Sequence, residues 1–199
     1  MSKGEQTRRM ILERAAPLFN QQGYFGVSLG DIMYVTELEK GGIYNHFASK
    51  EQLAVESFNY AWELIKQHTR EALKGKEHAA DRLSALALSF LSMADGSLMA
   101  GGCPILNTAI EADDSLPALR ECARAAMDYW RESLRRIIQK GIERQELRPE
   151  TDIEDFSTLF ISTLEGAVML SKLYGDLVYM RRAIAHVQVC IDSFTLPRE

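Results

Sequence analysis

Apolar positions recur three and four residues apart almost throughout the chain, with no sustained alternation and few β-branched runs, so the pattern predicts helices and no sheet. Ile11, Leu12, Ala15, Leu18 and Phe19 form one stripe over about Glu5 to Gln22, which Gly23 can stop in a left-handed conformation. Ser28 with Asp31 marks the start of a short second helix whose Ile32 and Val35 face inward. A third helix is expected over about Lys40 to His46. Ser49 followed by Gln52 has the capping-box spacing that opens a long fourth helix running toward Leu73, where Lys74-Gly75-Lys76 ends it. Further helices are predicted over about Ala79 to Ala94, from Pro104 to Asp113-Asp114, and from Pro117 to about Gly141. Thr151 with Glu154 is read as a capping box before the apolar stretch Phe156 to Leu173, and Gly175-Asp176 separates this from a last helix reaching Phe194. The fold class is therefore all-α, with about nine helices.

Composition narrows the setting. Hydrophobic residues make up 46% and charged residues 26% of 199, ordinary globular usage for one large or two small domains. No apolar run approaches the length needed to cross a bilayer, and MSKGEQTRRM is not followed by the apolar core of a secretory signal, so a cytoplasmic protein without membrane contact is expected. Cys103, Cys122 and Cys190 are odd in number and far apart, which suits neither a disulfide framework nor a CxxC metal site. Reduced thiols are expected, with no metal and no other cofactor. Net charge is −5, yet residues 1–50 carry six Lys and Arg against five Asp and Glu, so the negative excess lies downstream. A nucleic-acid partner would have to be met by a few well-placed cations rather than a broad basic field.

Residues 28–47, SLGDIMYVTELEKGGIYNHF, pack two short helical periods around a turn. A helix-turn-helix needs that arrangement, because its second helix enters the major groove while the first braces on the backbone. Gly41 and Gly42 allow close approach to bases, at about 1 kcal/mol each in helix propensity. Tyr44, Asn45 and His46 follow in succession; Asn can bond adenine bidentately, and Tyr and His suit phosphate oxygens. Lys50 places charge beside the N–H groups that open the fourth helix, a combination that suits a phosphate.

These residues, the first helix ending in Gly23, the run from Ser28, and KGGIYNHFASKEQL from Lys40 to Leu53, resemble the DNA-binding domain of TetR/AcrR-family transcriptional regulators. The resemblance implies that Ser28 caps the bracing helix at the DNA backbone, that Lys40, Gly41, Gly42, Asn45 and His46 lie on the reading helix, and that Tyr44 and Lys50 contact phosphates. It implies a helix-turn-helix domain over 1–54 and a larger ligand-binding and dimerisation domain over 55–199. It also implies a ligand-responsive homodimeric repressor, and no enzyme, whose partners are palindromic operator DNA, a second copy of itself and an unidentified small-molecule effector. Two positions depart from the family pattern: Glu37 stands in the turn where Gly is usual, and Glu39 where Ser or Thr often caps the reading helix.

The remaining candidate chemistry is apolar. Phe58, Trp62, Phe90, Met93, Met127, Trp130 and Met169, with Cys103, are candidates for a pocket between helices, although core packing explains such stripes equally well. Cys103 follows Gly101-Gly102 at an expected helix start, where the dipole can lower a thiol pKa; it is either an electrophile sensor or a small core residue. Glu111, Glu165 and His186 are either polar anchors or surface groups. Phe156, Phe160, Thr163, Gly166, Ala167 and Leu170, with Val187 and Ile191, give the last two helices the faces for a four-helix dimer interface or, alternatively, a buried hairpin. A helical ligand-binding protein without DNA binding remains the other reading.

Overall fold

A computed structural model describes residues 2–112 and 116–198. Among them the chain forms ten helical segments and no strand, with one isolated antiparallel bridge between Leu147 and Thr195. The Asp113-Asp114 helix limit lies outside the described residues. The helices gather into two compact units: Met1–Ile65 with Met99–Ala126, and Lys66–Leu98 with Met127–Glu199.

In the first unit, α1 spans Lys3–Gly26 and opens two residues earlier than expected. Ser2 accepts from the Glu5 N–H at 3.2 Å while the Glu5 carboxylate accepts from the Ser2 N–H at 2.6 Å. Gly23, at φ 75, breaks the helix where expected, and one further turn follows it. α2 (Leu29–Thr36) has the capping box of Ser28 and Asp31; its hydrogen bonds to the Ser28 hydroxyl and backbone hold the Asp31 carboxyl below the usual range. α3 (Lys40–Tyr44) and the start of α4 (Lys50–Leu73) complete this part, around a core of Ile11, Ala15, Leu18, Ile32, Ile43 and Phe47. Side-chain amides tie α7 (Pro104–Glu111) to α1, beside the buried Pro104 and Ile105. Asn20 donates to the carbonyls of Ala100 and Gly102, both at 2.9 Å, and Asn107 donates to the Asn20 carbonyl at 3.0 Å and to the Asn20 and Gly101 oxygens at 2.9 Å.

In the second unit the helix expected over Ala79 to Ala94 is two, α5 (Ala79–Ser89) and α6 (Leu91–Ala94), broken at Phe90. Ser89 and Ser92 hydroxyls donate to carbonyls three residues back, and the Phe90 N–H bonds Ala87, so the turn tightens locally. α8 spans Pro117–Glu143, α9 Ile153–Tyr174 and α10 Val178–Phe194. The cap of α9 is Asp152, which accepts from Asp155, rather than Thr151 with Glu154: Glu154 instead receives Arg131 and Arg135, and Thr151 donates to the Arg148 carbonyl. By length and composition α9 could cross a bilayer, contrary to the expectation that no stretch approaches that length; it is the one such helix among the described residues, and half of its most apolar window is buried inside the protein.

Both faces of α9 are apolar, so periodicity alone could not assign them. Phe156, Phe160 and Ala167, with Val187 and Ile191 of α10, turn into the core of their own unit. The outward stripe runs instead through Leu159, Met169 and Leu173, with Thr163, Gly166 and Leu170 partly covered beside it.

Candidate nucleic-acid interface

The reading segment is held from beneath and open above. Ile43 and Phe47, each 1% exposed, anchor α3 and the turn after it, and Gly42 lies 3.5 Å from the Leu38 side chain as measured from an added Cβ. On the opposite side a Cβ on Gly41 would meet nothing within 4 Å. Lys40, Tyr44 and Asn45 are exposed and His46 half-buried, with the Lys40 ammonium 5.8 Å from the Tyr44 ring centre. These groups share one short surface: the helix ends at Tyr44, shorter than expected, because the Asn45 N–H bonds Gly41 while the His46 N–H tightens onto Ile43. Asn45 is therefore the cap residue and His46 lies in the turn beyond it.

Glu37 adopts φ 59 and ψ 26, the left-handed conformation that the family's glycine would take freely. Its carboxylate is bonded by Arg14 at 2.8 Å, and the same guanidinium donates to the Val35 carbonyl at 2.9 Å, so this negative charge is matched at the turn. Glu39 makes no side-chain cap to α3. Replacing Glu37 with glycine should raise stability by about 0.5–1 kcal/mol, since left-handed strain outweighs an exposed ion pair. A lowered unfolding midpoint would show that the Arg14 pair outweighs the strain.

Lys50 is not directed to solvent alone. Its ammonium donates to the Tyr24 carbonyl at 2.5 Å and lies 4.3 Å over the Tyr24 ring, while Gln52 N–H is capped by Ser49. From the other side the Glu111 carboxylate accepts from the N–H groups of Tyr24 and Phe25 at 2.9 and 3.1 Å. A cation and a carboxylate thus clamp the segment that leads into α2. Periodicity placed neither group in this clamp, and the i to i+87 spacing of Glu111 leaves no local signal. Tyr34, 85% exposed on α2, is a further candidate contact that the apolar pattern passed over, because it lies off the Ile32 and Val35 face.

The pocket candidates separate. Phe58 lines a cavity of about 40 Å³ in the first unit, together with Asn107 and Glu111. Cys103, in the same unit, is the wholly buried N-cap of α7 and its side chain does not cap. Trp62 is half-buried there. In the second unit Phe90 and Trp130 meet, ring centres 5.1 Å apart, at a cavity of about 70 Å³, with Phe160 at 6.4 Å from Phe90. Met93 is buried in the core, Met127 is half-buried, and Met169 is half exposed on the outer stripe of α9 rather than at a cavity. Of the polar candidates Glu165 is buried, His186 is exposed beside the Cys190 sulfur at 3.8 Å, and burial together with Glu121 pushes the Cys122 thiol pKa up.

Residues 11–56 match the family described as bacterial regulatory proteins, tetR family, and residues 79–187 match the Tetracyclin repressor-like C-terminal domain. A TetR transcriptional regulator from Chloroflexus aurantiacus superposes with a TM-score of 0.94 at 46% identity, covering 98% of both chains. The regulator LmrA of Bacillus subtilis is 29% identical over 97% of this chain and 98% of its own. The same fold, at 22% identity and a TM-score of 0.80 over 94% of this chain and 95% of the other, occurs in the regulator CifR, a cysteine mutant solved with 26-base-pair operator DNA.

Proposed function

Because the chain belongs to the TetR family of bacterial transcriptional regulators, we propose that it is a cytoplasmic homodimeric repressor whose two reading segments bind a palindromic operator and which a small-molecule effector releases. The observation that carries this reading is the exposed group of Lys40, Tyr44, Asn45 and His46 around the open face of Gly41, on a segment locked from below by Ile43 and Phe47. Lys40, Tyr44 and His46 contact phosphates, Asn45 meets base edges, Ser28 fixes the bracing helix, and Lys50 acts from the Tyr24 clamp while adding local charge.

One segment reads only a half-site, so useful specificity requires two, about 34 Å apart. The outward stripe of α9, with Leu159 and Leu173 more than half exposed and Gly166 open to close approach, supplies the pairing face. Leu173→Glu should therefore give a monomer in sedimentation and lose operator binding together with dimerisation. A dimeric Leu173→Glu protein would remove this face from the reading.

Binding to DNA from upstream of its own gene, followed by fluorescence anisotropy over a salt series, tests the proposal directly. Lys40→Ala and Tyr44→Ala should each weaken operator and random DNA alike by about tenfold, and Lys40→Ala should also reduce the salt slope by about one. Asn45→Ala should instead relax preference at individual base pairs. Absence of binding at low salt in both the free and ligand-supplemented protein would sink the repressor assignment.

A further inference from the structure

The apolar cavity of the second unit does not stand alone. Leu73, Tyr129 and Ser133 line it and also line a second, larger cleft of about 560 Å³. Inside the smaller chamber the walls are Leu86, Phe90, Trp130, Leu134, Phe160 and Ile161, with Lys66 and Arg70 among its lining residues. Lys76, Arg82, Arg136, Lys140 and Arg144 converge on the larger cleft, against only Glu77 and Glu146, in a chain whose net charge is −5. The accumulation is unfavourable by itself. Arg136 and Lys140 at the end of α8 and Arg144 in the turn just beyond it follow at four-residue intervals, a spacing at which like charges repel, and only part of that repulsion is offset by the negative end of the helix dipole.

Within the cleft these cations are only partly neutralised: Arg144 lies 4.0 Å from the Glu146 carboxylate. Arg82 donates to the main-chain carbonyl of Lys76 at 3.0 Å and Arg144 to that of Glu77 at 3.4 Å, bonds that position a guanidinium without cancelling its charge. Arg136 pairs with Glu132 on an exposed helix face, a contact readily exchanged for another anion. One carboxylate of the chain already enters the cleft: Glu146 accepts from the first N–H of α5, Ala79, at 2.7 Å.

We infer that the chamber and the cleft form one two-part site for a small amphiphilic anion, whose short hydrocarbon tail enters between Phe90 and Trp130 and whose larger phosphate- or carboxylate-bearing head sits among Lys76, Arg82, Arg136, Lys140 and Arg144. This assignment rests on the proposed release by a small-molecule effector, and it gives that effector a chemical class. The proportions set the ligand's shape. The chamber, of about 70 Å³, is the smaller of the two, whereas the cleft, of about 560 Å³, is within the range that encloses whole ligands. Head volume therefore exceeds tail volume, and neutral apolar compounds forgo most of the available contacts.

Calorimetric titration of the full chain with hexyl phosphate, hexanoate, hexanol and inorganic phosphate tests the site. Hexyl phosphate should bind at least about tenfold more tightly than hexanol or inorganic phosphate, weaken steeply with salt, and lose about tenfold on Lys140→Glu, a surface change that leaves hexanol binding unaltered. The ratio of hexyl phosphate to hexanoate identifies the head: a preference for one names phosphate or carboxylate, and both count for the proposal. Equal affinity for hexanol and hexyl phosphate, equal affinity for inorganic and hexyl phosphate, or indifference to Lys140→Glu would overturn it. Operator affinity is recorded in the same samples. Binding as described without any change in operator affinity would uphold the site and refute its role as the effector site, whereas release by hexanol with no anion preference would do the reverse.

Discussion

Phe47→Ala should lower the stability of the first unit by about 3–5 kcal/mol and abolish DNA binding with it. The ring is 1% exposed, belongs to the core built by Ile11, Ala15, Leu18 and Ile43, and carries the Arg8 guanidinium 4.7 Å from its centre. Truncation therefore removes the buried area, leaves a cavity, and takes away a cation–π contact worth about 0.5–1 kcal/mol. Phe47 also bears on function, because its backbone N–H closes onto Ile43 and draws the end of α3 into the core. Without it the reading surface loses its floor. For a chain of this length the unfolding midpoint should fall by roughly 10 °C. Phe47→Leu, which keeps most of the volume, should lose no more than about 1.5 kcal/mol and retain operator binding. If alanine and leucine give the same small loss, the core relaxes around the site and Phe47 is not the anchor described.

Gly101→Ala is expected to be nearly as damaging, for a reason of backbone rather than volume. Gly101 sits at φ +102, and a Cβ there would lie 2.6 Å from the Asn20 carbonyl oxygen and 2.7 Å from its carbon. The main chain cannot give way as a side-chain tip would. Left-handed strain of about 1–2 kcal/mol adds to the loss of hydrogen bonds from Asn20 and Asn107, each about 1 kcal/mol, giving about 3–4 kcal/mol in all. Gly75→Ala separates the two causes, because Gly75 has φ +72 with nothing within 4 Å of its Cβ and should show the strain alone. Equal midpoints for the two variants would mean that the Asn20 contact yields without cost.

Where local chemistry decides a conformation, the chain could be read directly. The Ser28 and Asp31 capping box, the Ser49 and Gln52 start of α4 and the stop at Gly23 all depend on a few adjacent residues, and each is found where expected. Long-range choices were not legible in the same way. On α9, Phe156 and Phe160 have the same chemistry as Leu159 and Leu173, and the packing of α10 and α6, with Phe90 against Phe160, selects which pair is covered. The break at Phe90 depends on serine hydroxyls turning back on their own helix, and the Glu111 clamp joins groups 86 and 87 positions apart. The cationic cleft likewise unites α8 with the segment between α4 and α5, so its charge is dispersed in the linear chain.

The Asn20, Asn107 and Glu111 contacts also set the terms for building chimeric regulators. Residues 99–126 cluster with the reading segment although they begin more than fifty positions after it. A head transplanted as residues 1–54 would leave behind the two amide bonds at Asn20 and the carboxylate that holds Tyr24 and Phe25. Exchange of operator preference between relatives would therefore succeed with a discontinuous graft that carries Asn107 and Glu111 along, or with substitutions confined to the exposed face of α3, and would weaken the recipient in proportion to the contacts omitted.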